Sequence, residues 1–238
     1  MSLEVDGGFA LLTLDNPGRG NALSAELVEL LHESVARVVA NASVHTLVFT
    51  GAGRHFCTGF DLSTLDDETD ASLLARFVRI ELLLDAVWRA PLRTAAFGAG
   101  RIVGAGADLF AACDHRLLAP DASLRFPGAG FGIVLGTRRL AARVGADRAL
   151  RWVSTGETVD AHAALASGLA TGIASDAAAA AVVAGEPAVG RDTYAALRAA
   201  LSDQGADRDL AALVRSAAAP GLKERIVAYR DRVAAARG

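Results

Sequence analysis

The 238-residue sequence is poor in cysteine, with Cys57 and Cys113 alone, too few for a disulfide framework and without metal-ligand spacing. Free buried thiols are therefore expected. It also lacks any apolar run approaching the roughly 20 residues that cross a bilayer. Although 52% of its residues are hydrophobic, the positive mean hydropathy comes largely from alanine. The longest Ala/Val run, residues 177–184, leads into Gly185, Glu186 and Pro187 and reads as a surface helix ending in a loop. Positive charge is not in excess: the formal net charge of −3 argues against nucleic acid, whose binding is dominated by phosphate neutralisation. No basic region opens the chain, which starts Met1-Ser2-Leu3-Glu4-Val5-Asp6, unlike a secretory signal. A cytoplasmic protein with no membrane partner is the expectation.

What is present alternates between two hydrophobic periods. Residues 9–14 read as a strand between Gly7-Gly8 and Asp15-Asn16-Pro17-Gly18. Ser24 is a candidate helix cap, and Leu27, Leu30, Leu31, Val35, Val38 and Val39 form one apolar face at helical spacing. Residues 46–50 give a buried strand, 72–90 a helix stopped by Pro91, 94–97 a strand, 103–113 a small-residue helix and 116–119 another strand. From Gly136 onward the pattern is mostly helical. The length and the lack of a linker favour one α/β domain over residues 1–238, with 191–238 a helical C-terminal appendage.

Two glycine-rich loops follow strands, Gly51-Ala52-Gly53 through Gly59-Phe60-Asp61-Leu62 and Gly98-Ala99-Gly100 through Gly104-Ala105-Gly106. Glycine lets backbone NH groups approach a ligand closely. A dinucleotide fingerprint fails, because neither Gly51-Ala52-Gly53 nor Gly98-Ala99-Gly100 has a further glycine three residues on. Gly104-Ala105-Gly106 opens a helix, where unpaired NH groups and the positive dipole end favour a developing negative charge, and Asp108 lies in the first turn beyond it.

Taken in order, Leu14-Asp15-Asn16-Pro17 to Asn21-Ala22-Leu23-Ser24, Val48-Phe49-Thr50-Gly51 to Leu62, Gly104 to Asp114, and Gly136-Thr137-Arg138-Arg139-Leu140 resemble the crotonase, or enoyl-CoA hydratase/isomerase, superfamily along most of the chain. The resemblance implies a crotonase-like α/β fold of repeated ββα units whose helical C-terminus assembles homotrimers or hexamers. It puts the NH groups of Phe60 and Ala105 on the thioester oxygen of an acyl-CoA. It also implies coenzyme A contacts at Arg19, Gly59, Asp61, Leu62 and Gly104, with coenzyme A as part of the substrate, and with no separate cofactor and no metal. Asp108 falls where the hydratases of the family carry their first catalytic glutamate. Gly128 falls at the second, and three residues are missing between Gly132 and Gly136, so standard hydration is not expected. One-carboxylate chemistry, isomerisation above all, is the expectation, and a non-catalytic acyl-CoA-binding homologue is its rival. Arg225, Arg230 and Arg232 are candidates to reach a neighbouring subunit's nucleotide. His55 and Glu81 are reserve candidates for the base. A serine protease of the same architecture is not expected, since no serine follows either glycine-rich loop at a nucleophile position.

Overall fold

The computed structural model describes residues 1–176, 188–201 and 205–236, so the helix expected at 177–184 lies outside the described residues. Gly7 and Gly8, both at positive φ, turn β1 (Ser2–Asp6) back on β2 (Phe9–Leu14) as an antiparallel pair. On β2 the alternation is complete: Ala10, Leu12 and Leu14 are buried while Phe9, Leu11 and Thr13 are half-buried. The Ser24 side chain accepts the NH of Leu27 and starts α1 (Ala25–Ala40), whose buried face is Leu27, Val28, Leu31, Val35 and Val38. After β3 (Thr46–Gly51), α2 (Asp70–Trp88) begins two residues earlier than expected, because Thr69 and Ser72 form a reciprocal capping box.

The next unit differs from the sequence reading. Residues expected to start a helix at Val103 instead form β5 (Arg101–Val103), directly after β4 (Arg93–Gly98), and pair in parallel with β7 (Ser123–Arg125). Gly104, at φ +55°, then redirects the chain, and α3 (Ala105–Ala112) follows. Beyond β6 (His115–Leu118) come α4 (Thr137–Val144), α5 (Ala146–Thr155), α6 (Ala161–Ala166), α7 (Arg191–Leu201), α8 (Ala206–Ala217) and α9 (Leu222–Ala235). Two short strands unseen in the sequence, β8 (Val159–Asp160) and β9 (Gly172–Ile173), interrupt this helical region. Each is two residues long, too short to carry a period.

The main sheet has the order β1-β2-β3-β4-β6-β9 and is parallel apart from the β1–β2 pair; β5, β7 and β8 form a second, smaller sheet. A large core joins the main sheet, α1 and α3. A second cluster, built from Leu73 and Phe77 of α2, Leu213 of α8, and Leu222 and Ile226 of α9, locks the C-terminal helices onto α2. Between these two cores lies the cavity described next.

Candidate active site

Backbone contacts tie the first glycine-rich loop to the segment 16–24 and to the second glycine-rich loop. Leu23 donates its NH to the Gly59 carbonyl at 2.7 Å and accepts from the Asp61 NH at 3.2 Å, so the intervening Phe60 NH faces away from Leu23. Val103 donates to the Cys57 carbonyl at 2.9 Å. Gly59 sits at φ +93°, and a Cβ there would lie 2.6 Å from the Val103 oxygen and 3.5 Å from the Ala105 nitrogen. Only glycine lets these strands close to that distance. Phe60, the residue after Gly59, and Ala105, whose NH is the first of α3, line the same cavity. Neither NH has a hydrogen-bond acceptor among the described residues.

Asp108 lies one turn into α3, its own NH bonded to the Gly104 carbonyl at 3.0 Å. Its carboxyl packs on Gly136 at the start of α4, where φ is +65° and any Cβ would collide with the carboxyl oxygen. The side chain is nearly buried, and burial, then the negative charge of Glu81, push its pKa well above the ordinary carboxylate range; Arg139 opposes them. A carboxyl whose pKa is raised is a stronger base in its ionised form than an exposed one.

A cavity of about 390 Å³ opens over these groups. Gly59, Phe60, Leu62, Gly104, Ala105 and Asp108 all line it, six of the eight residues singled out in the sequence. Among the described residues Asp108 is its single lining carboxylate. Gly128 also lines it; a Cβ there would meet nothing nearer than the Ile133 carbonyl at 3.4 Å, so the position is open but offers no acid.

The other two, Arg19 and Asp61, are not brought to the cavity. Arg19 reaches the Asp61 carboxylate at 3.5 Å and the Ser63 hydroxyl, and Asp61 also accepts the Ser63 NH at 2.9 Å, which pins the loop after Phe60. His55 likewise stands outside the lining: its Nδ1 accepts the Arg101 NH at 3.1 Å, and burial with Arg101 and Arg54 nearby lowers its pKa. Glu81 is buried behind Asp108, on Arg139, rather than in the cavity. Arg225 is spent on the Phe131 carbonyl at 2.9 Å and on carbonyls at the end of α8, and Arg232 on the Gly130 carbonyl. Both tie α9 to this chain's own turn at Pro127–Phe131; Arg230, which pairs with Asp66 and Asp231, lines the cavity.

Sequence reasoning missed the α9 wall. Ile226, Tyr229 and Val233 line the cavity from that helix, at a spacing of three and four that marks one apolar face. Arg101 and Arg125 line the cavity from the small sheet, whose three-residue strands β5 and β7 carry too little period to show in the sequence.

A fold of successive ββα units, with two glycine-rich loops converging on a cavity beside the first turn of a buried helix, defines a crotonase-type protein. The sequence model of the enoyl-CoA hydratase/isomerase family matches residues 4–213. A Mycobacterium leprae protein named "Probable enoyl-CoA hydratase echA6" is 36% identical over 172 residues, covering 70% of this chain and 68% of its own. A solved structure from Bordetella parapertussis, named for the enoyl-CoA hydratase/isomerases, superposes with a TM-score of 0.91 at 44% identity, over 96% of this chain and 97% of that one. A Gallus gallus protein named ethylmalonyl-CoA decarboxylase is 32% identical over 171 residues, covering 69% of this chain and 57% of its own. The chain belongs to the enoyl-CoA hydratase/isomerase family, and is an enzyme of that family. Among the described residues, no helix is long and apolar enough to cross a membrane.

Proposed function

We propose that the cavity binds an acyl-CoA thioester, that the Phe60 and Ala105 NH groups receive the thioester oxygen as an oxyanion hole, and that Asp108 alone moves the proton. The observation that carries this is that two residues with acceptorless amides, Phe60 and Ala105, line one cavity with one carboxylate among the described residues. As negative charge develops on the thioester oxygen, each preorganised donor lowers the barrier by about 3 kcal/mol. The α3 dipole adds to both. Coenzyme A enters as part of the substrate, and no further cofactor is required by this chemistry.

Hydration demands that one group activate water while another supplies a proton to carbon, and the position occupied by Gly128 offers neither. Double-bond isomerisation needs only one group that takes a proton from one carbon of the dienolate and returns it to another. A single carboxyl with a raised pKa is suited to that. The same site would serve decarboxylation, the activity in the name of the chicken relative, since loss of carbon dioxide leaves an enolate that needs oxyanion donors and one proton. A homotrimer or hexamer in the cytoplasm, implied by the family resemblance, accompanies this reading.

Product analysis after incubation with crotonyl-CoA and with a 3-enoyl-CoA tests it. Conversion of the 3-enoyl to the 2-enoyl ester, with slow or no hydration of crotonyl-CoA, is expected. Fast hydration of crotonyl-CoA would contradict the one-carboxylate account, and tight binding without any turnover would favour the non-catalytic rival.

A further inference from the structure

The small sheet shows a preference that the oxyanion chemistry does not explain. Along β5 and β7 the residues alternate between two faces: Ile102 and Leu124 are buried in the core, whereas Arg101, Val103 and Arg125 line the cavity. Val103 and Arg125 are register partners, and Arg101 lies two residues before Val103 on the same face. The Arg125 carbonyl accepts the Gly104 NH at 2.9 Å, so its backbone is anchored beside the residue that precedes Ala105. Its guanidinium is aimed by one bond, Nε to the Gly156 carbonyl at 2.9 Å, at the end of α5. Among the described residues neither Nη group has a hydrogen-bond acceptor, and no carboxylate there pairs with Arg125 or Arg101. The lining carboxyl, Asp108, feels Glu81 and Arg139 rather than either of them.

Resting on the acyl-CoA reading above, we infer that Arg125, with Arg101 beside it, selects acyl groups that carry a second carboxylate. A half-buried guanidinium with two free Nη groups is a fork matched to a carboxylate, and placing it in a largely apolar cavity is costly unless an anion completes it. The alternative anion is a phosphate of coenzyme A. Arg125 lies one strand from the oxyanion amides, whereas the nucleotide phosphates are removed from the thioester by the full pantetheine arm, so the acyl side is favoured.

Equilibrium titration of the intact protein with succinyl-CoA, glutaryl-CoA, butyryl-CoA and free coenzyme A tests this. The wild type should bind at least one of the dicarboxylic esters about tenfold or more tightly than butyryl-CoA, the scale of a charge-assisted pair. Arg125→Gln should erase that preference and leave butyryl-CoA affinity within about twofold; the wild-type comparison stands whatever the stability of the variant. Butyryl-CoA bound as tightly as both dicarboxylic esters would overturn the inference and leave the acyl-CoA reading intact. Equal weakening of all esters and of free coenzyme A in Arg125→Gln would assign Arg125 to a phosphate and overturn it too. A wild type that binds none of the four would overturn the acyl-CoA reading, and this inference with it.

Discussion

Arg139 donates to the Glu81 carboxylate at 2.7 Å while neither side chain reaches solvent, one turn along α4 from the glycine on which the Asp108 carboxyl rests. Asp85 and Asp209 each stand 3.4 Å from the same guanidinium nitrogen, yet Arg139 Nε and Nη1 and Glu81 Oε2 have no partner among the described residues. An incompletely bonded pair in the interior is expensive to keep, and breaking it by removing one partner is worse than removing both. Arg139→Met should therefore cost about 3 to 5 kcal/mol in urea denaturation, and Arg139→Met with Glu81→Leu should recover at least half of that. Equal stability of the single and double variants would contradict the pairing.

Asp108 gives a stability signature with a definite sign. Its pKa is raised in the folded protein, first by burial and then by Glu81, so between the unfolded and the folded pKa the folded state binds more protons than the unfolded chain. This group's contribution to stability is fully present below the unfolded pKa and is lost as pH rises through the folded one. Asp108→Asn, which cannot ionise, should thus raise the melting temperature relative to wild type at neutral and higher pH, with the gap closing as pH falls toward the unfolded aspartate pKa of about 4. A gap that widened on acidification would show that the carboxyl is held ionised instead.

Much of this was legible in the sequence because its signals are local. Glycine at positions 59, 104 and 136 and the acid at 108 announced two loops and a helix start, and the period of α1 placed one face of the core. The small sheet was not legible: Arg101-Ile102-Val103 and Ser123-Leu124-Arg125 become strands only by pairing with each other, and three residues hold too little pattern to show it. The wall from α9 was hidden for a different reason. The apolar face of Ile226, Tyr229 and Val233 was readable, but nothing local distinguishes a face that covers its own cavity from one that meets a second subunit.

The seat of Asp108 is testable through Gly136. Alanine there strains a left-handed backbone position by about 1 to 2 kcal/mol and pushes its Cβ into the carboxyl. Gly136→Ala should lower turnover of the 3-enoyl ester by about 100-fold, the scale of a misplaced reacting group, while acyl-CoA affinity measured by calorimetry changes only a few-fold. Affinity falling in parallel with turnover would mean that the position supports the pocket rather than the carboxyl.

Ending the chain after Ala219 removes α9, and with it Ile226, Tyr229 and Val233 from the cavity and Leu222 from the second core. Acyl-CoA affinity should fall by tenfold or more for esters with longer chains, in protein whose circular dichroism still reports the α/β body. Unchanged affinity would remove α9 from the site.

If two amides and one carboxyl generate an enolate, proton exchange at the α-carbon reads that event without naming the natural substrate. Butyryl-CoA incubated with the protein in deuterium oxide should lose its α-proton NMR signal, and Asp108→Asn should slow that loss by at least about 100-fold while binding the ester within a few-fold of wild type. Tight binding of butyryl-CoA by the wild type with no exchange above the rate in buffer would contradict the account.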